Sequence, residues 1–216
     1  MSLPSTAPRQ PVAYEPRWPA VVAILATGGI YLALPERLTP GPNWGLLLVL
    51  VVLVIPTIGA RRAGFLKVNF VLGVVICSIV TAALCWSLAF LIAGLPGKRE
   101  APAQLLQSAV AIWVSNVLIF ASWYWRLDAG GPHRREVVEY HKEGAFLFPQ
   151  MTMPDQRATW RPGFVDYLFL AFNASTAFSP TDAPVLSRWA KVMMMIQSLI
   201  SLGAVIVLAA RAINIL

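Results

Sequence analysis

The sequence has few charged residues for its length. Its 216 residues include 17 basic and 10 acidic ones, and charged residues make up 12% of the chain, whereas a soluble domain has about 25%. The hydrophobic fraction of 57% and the mean hydropathy of +0.66 are high. This composition excludes a disordered chain and argues against a soluble domain. It predicts an integral membrane protein.

The chain also offers little for catalysis, redox chemistry or metal binding. His133 and His141 are the only histidines, and Cys77 and Cys85 lie too far apart on one predicted helix to form a disulfide. No zinc-binding, nucleotide-binding or hydrolase motif is present. We therefore expect no enzymatic activity, no cofactor and no metal site.

Five long runs contain no acidic or basic residue at all. A helix needs about 20 apolar residues to cross ~30 Å of hydrocarbon, and a charge at its centre costs roughly 2.5–3.5 kcal/mol. The runs therefore predict an all-α, polytopic integral membrane helical bundle. We expect transmembrane helices near 19–35, 44–60, 69–95, 103–125 and 186–214. Gly28 and Gly29 in the first of these would allow a close helix contact.

The remaining polar stretches divide the chain into four parts. Residues 1–18 form a Pro-rich tail, 19–126 a four-helix transmembrane region, 127–162 a polar loop with a short surface helix, and 163–216 a C-terminal segment ending in a transmembrane helix. The net charge of +7 resides in the loops between apolar runs, where the headgroups of anionic lipids account for it. We expect the lipid bilayer as a partner and no nucleic acid.

The basic residues also predict an orientation in the membrane. Counted on alternate sides of the spans, 13 Lys and Arg residues share the side of the N-terminus, and the other four are Arg37, Lys98, Arg99 and Arg211. Because cytoplasmic loops carry the excess of Lys and Arg, the N-terminus is predicted to lie in the cytoplasm, with the protein in the cell (inner) membrane.

Residues 164–182 form the most informative segment. Its charge-free part, 167–181, is only 15 residues long and contains Asn173, Ser175 and Thr176. A run this short and polar favours a re-entrant segment, although a sixth span with a tight exit at Pro180 is the alternative. The prediction is thus five transmembrane helices plus a re-entrant segment, or six transmembrane helices.

This region resembles two known families. A pattern of acidic, aromatic and hydroxyl residues followed by a long apolar helix resembles the pore-helix, filter and inner-helix module of potassium-channel-like proteins. It is more similar still to an uncharacterised bacterial membrane family, the DUF1345 proteins. The residues that carry these resemblances are Trp160, Asp166, Tyr167, Phe169, Ser175, Thr176, Thr181, Asp182, Pro184, Ser187, Arg188 and Asn214.

The resemblance implies an ion-channel-like pore or permeation protein. Its constriction would be formed by Thr176, Phe178, Ser179, Thr181 and Asp182. This stretch has no glycine, so a potassium-type filter of successive carbonyls is not expected. A homo-oligomer and an inorganic ion would be its partners. The alternative is a non-conducting membrane protein that uses a pore-loop-like fold for assembly or partner binding.

Polar residues in and beside the membrane add further candidates. Gln197 and Ser201 in the last helix either hydrogen-bond to other helices or line a water-filled path. Asp166 and Asp182 flank the short segment, and a carboxylate in hydrocarbon is costly unless it is paired or wet. Their candidate partners are Arg161 and Arg188. Asp182 could instead cap the final helix.

Overall fold

All of the regular elements in the described residues are helices. The structure is a computed structural model that describes residues 15–94, 102–137, 144–156, 160–176 and 183–213. The α-helices in these residues are α1 (Trp18–Tyr31), α2 (Gly45–Arg62), α3 (Leu66–Gly94), α4 (Pro102–Leu127), α5 (Pro132–Val137), α6 (Phe164–Thr176) and α7 (Arg188–Ile213). An isolated antiparallel bridge joins Phe146 to Val185.

Four of these helices, α2, α3, α4 and α7, are long and apolar enough to cross a membrane. This confirms the predicted all-helical class and indicates a membrane protein. Helix α1 is shorter than the predicted span 19–35, because it ends at Tyr31. The next three N–H groups bond three residues back, to the carbonyls of Gly29, Ile30 and Tyr31. Pro35 then prevents the helix from continuing.

Helix α4 forms the centre of the bundle. It packs against α1, α3, α6 and α7, whereas α2 packs against α1 and α3. In its most apolar stretch 61% of the residues are buried in the protein, compared with 17% in α2, 33% in α3 and 28% in α7. The outer helices therefore present most of their apolar side chains outward, as expected for helices that face lipid.

The helix contacts define two ends of the bundle. Helices α2 and α4 end where α1, α3, α6 and α7 begin, and we call this the basic end, after Arg17, Arg61, Arg62, Arg126 and Arg135. Arg126 on α4 donates to the Asn69 carbonyl on α3 at 3.1 Å, and Asn69 donates to Thr57 on α2 at 2.8 Å. At the opposite end, Ser87 on α3 meets the Tyr31 hydroxyl on α1 at 3.2 Å.

Helices α1 and α2 approach closely at Gly28. A Cβ atom there would lie 3.0 Å from Leu47 Cδ1, 3.1 Å from Leu47 Cα and 3.1 Å from Leu50 Cδ1. A Cβ at Gly29 would have no such neighbour within 4 Å. Of the two glycines, Gly28 is therefore the one at which the predicted close contact occurs.

The two adjacent glycines provide a matched test of this packing. We expect Gly28→Ala to lower the melting temperature in detergent, because overpacking costs about 1–3 kcal/mol and the backbone of Leu47 cannot move aside like a side chain. Gly29→Ala should leave it unchanged or raise it, since alanine gains up to about 1 kcal/mol over glycine in a helix. Equal effects of the two substitutions would contradict the close contact of α1 and α2.

Candidate functional site

Helix α6 is fixed at the basic end by a buried carboxyl group. Asp128 follows α4, and its Oδ2 accepts a hydrogen bond from the Tyr167 hydroxyl in the second turn of α6 at 2.5 Å. Its Oδ1 accepts the backbone N–H of Ala145, also at 2.5 Å. Asp128 and Tyr167 are both completely buried. The end of α4, the segment around Ala145 and the start of α6 are thereby held together.

The start of α7 lies at this same end. Leu147 N–H donates to the Pro184 carbonyl at 3.0 Å, and Leu186 N–H donates to the Ala145 carbonyl at 2.8 Å. Residues 145–147 and 184–186 thus run side by side, next to the Asp128 carboxyl. The chain therefore starts α6 at the basic end and is back at this end before α7 begins.

Deeper in the bundle, Gln197 connects α7 to α4 and α6. Its Nε2 donates to the Ala171 carbonyl at 2.7 Å and to Ser175 Oγ at 2.8 Å. Its Oε1 accepts the Tyr124 hydroxyl at 2.5 Å. The Gln197 side chain is completely buried, so its donor and acceptor groups are used inside the protein.

Asn116 on α4 extends this polar network to Ser201, which lies one turn beyond Gln197 on α7. Its Nδ2 donates to the Gln197 carbonyl at 3.0 Å and to Ser201 Oγ at 2.8 Å. Ser201 is buried as well. The two predicted pore-lining residues, Gln197 and Ser201, therefore lie in one buried network, which faces α4 and α6.

Only one member of the predicted constriction belongs to the described residues. Thr176 is the last residue of α6; it is exposed, and its hydroxyl donates to the Phe172 carbonyl at 2.9 Å. Phe178, Ser179, Thr181 and Asp182 lie outside the described residues.

The described members of the predicted charge pairs are Asp166, Arg161 and Arg188. Asp166 Oδ2 accepts the Gly163 N–H at 2.7 Å, which caps the start of α6. Arg161 donates to the Arg135 carbonyl. Arg188 is exposed at the first position of α7.

A second cluster of charges holds the segment before α1 against the basic end. Arg17 pairs with Glu136 at 2.7 Å, and Arg135 pairs with Glu15 at 3.2 Å, while the Trp125 indole also donates to Glu15. Burial raises the pKa of the Glu15 carboxyl above its usual value, and the charge of Arg135 and the hydrogen bond from Trp125 oppose this shift.

One arginine of the polar loop, Arg135, is buried, whereas its neighbours His133 and Arg134 are exposed. A short helix does occur there, α5, but the Arg135 side chain is only 2% exposed. Its guanidinium donates to the carbonyls of Trp125 and Asp128 at 2.8 and 2.9 Å and lies 5.1 Å from the Tyr167 ring centroid. The helix is therefore part of the packed protein at this position, because its arginine satisfies carbonyls at the end of α4.

The buried hydroxyls of Tyr167 and Tyr31 provide a matched test of the Asp128 site. We expect Tyr167→Phe to lower the free energy of unfolding by about 1–3 kcal/mol, because it removes a hydrogen bond to a buried carboxyl group. Tyr31→Phe is the control: Tyr31 is equally buried, but its partner Ser87 keeps a bond to the Ala83 carbonyl. Chemical unfolding of both variants in micelles measures the difference, and an equal loss would contradict a special role for Asp128.

No family model, curated protein or solved structure matches this chain. The similarities to the DUF1345 family and to potassium-channel-like proteins therefore stay expectations from individual residues. The geometry around α4, α6 and α7 is the basis for a functional proposal.

Proposed function

We propose that the protein is a non-conducting, multi-pass membrane protein in which a pore-loop-like segment serves the assembly of the bundle. Helices α1, α2, α3, α4 and α7 cross the bilayer of the cell (inner) membrane in this proposal, and α6 re-enters from the basic end. The basic end and the N-terminus face the cytoplasm, where membrane proteins concentrate their Lys and Arg residues.

The length and the surroundings of α6 support the re-entrant path. Its 13 residues rise only about 20 Å, which is less than the ~30 Å of a hydrocarbon layer. Helix α1 is almost as short, but turns at residues 32–34 extend it, and its Tyr31 meets Ser87 at the end of the bundle opposite the basic end. The segments before and after it both lie beside Asp128 at the basic end. Along its length α6 packs against both α4 and α7, so one side of this short helix faces protein.

Gln197 is the observation that favours a non-conducting role. A glutamine that lined a water-filled path would be exposed to that path, whereas Gln197 is completely buried and bonds to Tyr124, Ala171 and Ser175. Hydrogen bonds between membrane helices are worth about 0.6–2 kcal/mol each. The network therefore holds α4, α6 and α7 together.

The outer side of α7 supports the same conclusion. Between Ser198 and Ala209, its exposed side chains are all apolar. They are Leu199, Leu202, Val205, Ile206 and Ala209. In an oligomer whose central axis is lined by this side of α7, the lining would be hydrocarbon, which does not replace the hydration shell of an ion.

An ion-permeable pore is the second candidate, and the path of α6 favours it. A short helix that starts beside a long one at the same end is the arrangement of a pore helix and an inner helix. In addition, Ser115 Oγ and Asn116 Oδ1 are buried in α4 and have no hydrogen-bond partner among the described residues. A chain of water molecules beside α4 would satisfy both atoms.

Ion flux from purified protein in liposomes distinguishes the two candidates. We expect no flux of K⁺, Na⁺, H⁺ or Cl⁻ above that of empty liposomes, since the network at Gln197 is closed by protein groups. Asp182→Asn should then leave both flux and melting temperature unchanged, because asparagine still caps a helix. A flux that Asp182→Asn reduces would overturn the non-conducting proposal and favour a cation pore.

Reporter fusions test the proposed orientation. A reporter that is active only in the cytoplasm should be active after Lys142, in the polar loop that follows α5 in the sequence. The matched fusion after Pro40, in the loop between α1 and α2, should be inactive and should become active with a periplasm-dependent reporter. The reverse result at both positions would place the basic end outside the cytoplasm.

A further inference from the structure

A cavity of about 600 Å³ opens between α1, α2, α3 and α4 at the basic end. It lies on the side of α4 away from the α6 network, and it falls within the roughly 300–1,000 Å³ typical of small-molecule sites. The cavity is lined by Trp18 at the start of α1 and by Arg17 just before it. Arg61 and Arg62 line it from the end of α2, and Arg126 lines it from α4.

The charges in this cavity are of one sign. Four arginines line it, Arg17, Arg61, Arg62 and Arg126, and no acidic residue is among the described residues of its wall. The charge of Arg17 acts on both Arg61 and Arg126, so the guanidinium groups repel one another. Arg17 is already paired with Glu136 at 2.7 Å, which leaves Arg61, Arg62 and Arg126 without an ion pair among the described residues.

Arg126 is the buried member of this group. It is 7% exposed, and its Nη1 donates to the Asn69 carbonyl and to Asn69 Oδ1 at 3.1 and 3.4 Å. These are neutral acceptors, which orient the guanidinium without neutralising it. A buried cation oriented in this way gains from an anion that enters the cavity.

The wall of the cavity becomes apolar away from the basic end. Val54 and Ile58 precede Arg61 by two and one helical turns on α2, and Ile24 and Ile76 continue the apolar wall from α1 and α3. Val22, Trp18 and Ile58 are exposed, at 53%, 68% and 38%, so the cavity opens on the apolar outer surface of the bundle. A ligand with a charged head and a hydrocarbon tail fits this gradient.

We propose that this cavity binds an anionic phospholipid, whose phosphate lies among Arg61, Arg62 and Arg126 and whose acyl chain lies along Val54 and Ile58. Arginine is suited to phosphate because its planar fork donates two parallel hydrogen bonds. The inference does not depend on whether the protein conducts ions, because the cavity and the α6 network lie on different sides of α4.

Lipid titration of the purified protein tests the head of this site. Detergent micelles doped with phosphatidylglycerol should raise the melting temperature, and those doped with phosphatidylcholine should not. Because the guanidinium groups of Arg61 and Arg62 would bond directly to the phosphate, Arg61→Gln with Arg62→Gln should weaken binding at least tenfold. The control removes two exposed charges of the same end, Arg188→Gln with Lys191→Gln, and should weaken it less than twofold.

A second pair of variants tests the tail while all charges are kept. Ile58→Trp fills the apolar part of the cavity and should weaken phosphatidylglycerol binding at least tenfold. Ile55→Trp changes an exposed residue of the same helix that does not line the cavity, and binding should be unchanged. Val22→Trp fills the cavity from α1 and replaces Ile58→Trp if that variant does not fold.

Three outcomes would overturn the lipid site. An equal loss in both double charge variants would mean that the whole basic end attracts anionic lipid. Unchanged affinity in Ile58→Trp and Val22→Trp would mean that no acyl chain enters the cavity. Stabilisation by inorganic phosphate equal to that by phosphatidylglycerol would mean that the site takes a soluble phosphate.

Discussion

The buried carboxyl group of Asp128 is the constraint on which the C-terminal half of the structure depends. A carboxyl group removed from water costs several kcal/mol unless hydrogen bonds replace the water it loses. Asp128 meets this requirement with donors from two separate segments, the Ala145 N–H and the Tyr167 hydroxyl. Because residues 145–147 then pair with 184–186, the same group also determines where α7 begins.

Arg135 provides the corresponding constraint for the first helix. The last carbonyls of a helix have no partners within it, and Arg135 donates to one of them, that of Trp125, and to the carbonyl of Asp128 just beyond the helix. The same guanidinium also pairs with Glu15, which holds the chain before α1 against the end of α4. The loop after α4 therefore ties α1 and α6 to the same helix end, although it is rich in charge.

The sequence predicted the helices well because the cost of a buried charge marks them directly. Runs without charge lie within α2, α3, α4 and α7, and the described residues Arg17, Arg61, Arg62, Arg126 and Arg135 lie at one end of the bundle. The roles of Asp128 and Arg135 could not be predicted, because charged residues in a loop are expected to face solvent unless their contacts in the folded protein are known. The sequence indicates that Gln197 needs partners inside the membrane, but Tyr124 and Ser175 lie 73 and 22 residues away from it, beyond any local pattern.

The polar groups on the two sides of α4 differ in how far the protein itself pairs them, and this difference indicates which side would bind a ligand. On the side of α6 and α7, the amide of Gln197 is satisfied by protein, so water or an ion would have to replace existing bonds. On the side of α1, α2 and α3, four arginines share a cavity whose described wall holds no carboxylate. Like charges repel more strongly in a low dielectric than in water. A ligand on the first side therefore has to break the hydrogen bonds of Gln197, whereas an anion that also fills the apolar wall of the second side relieves the repulsion among its arginines.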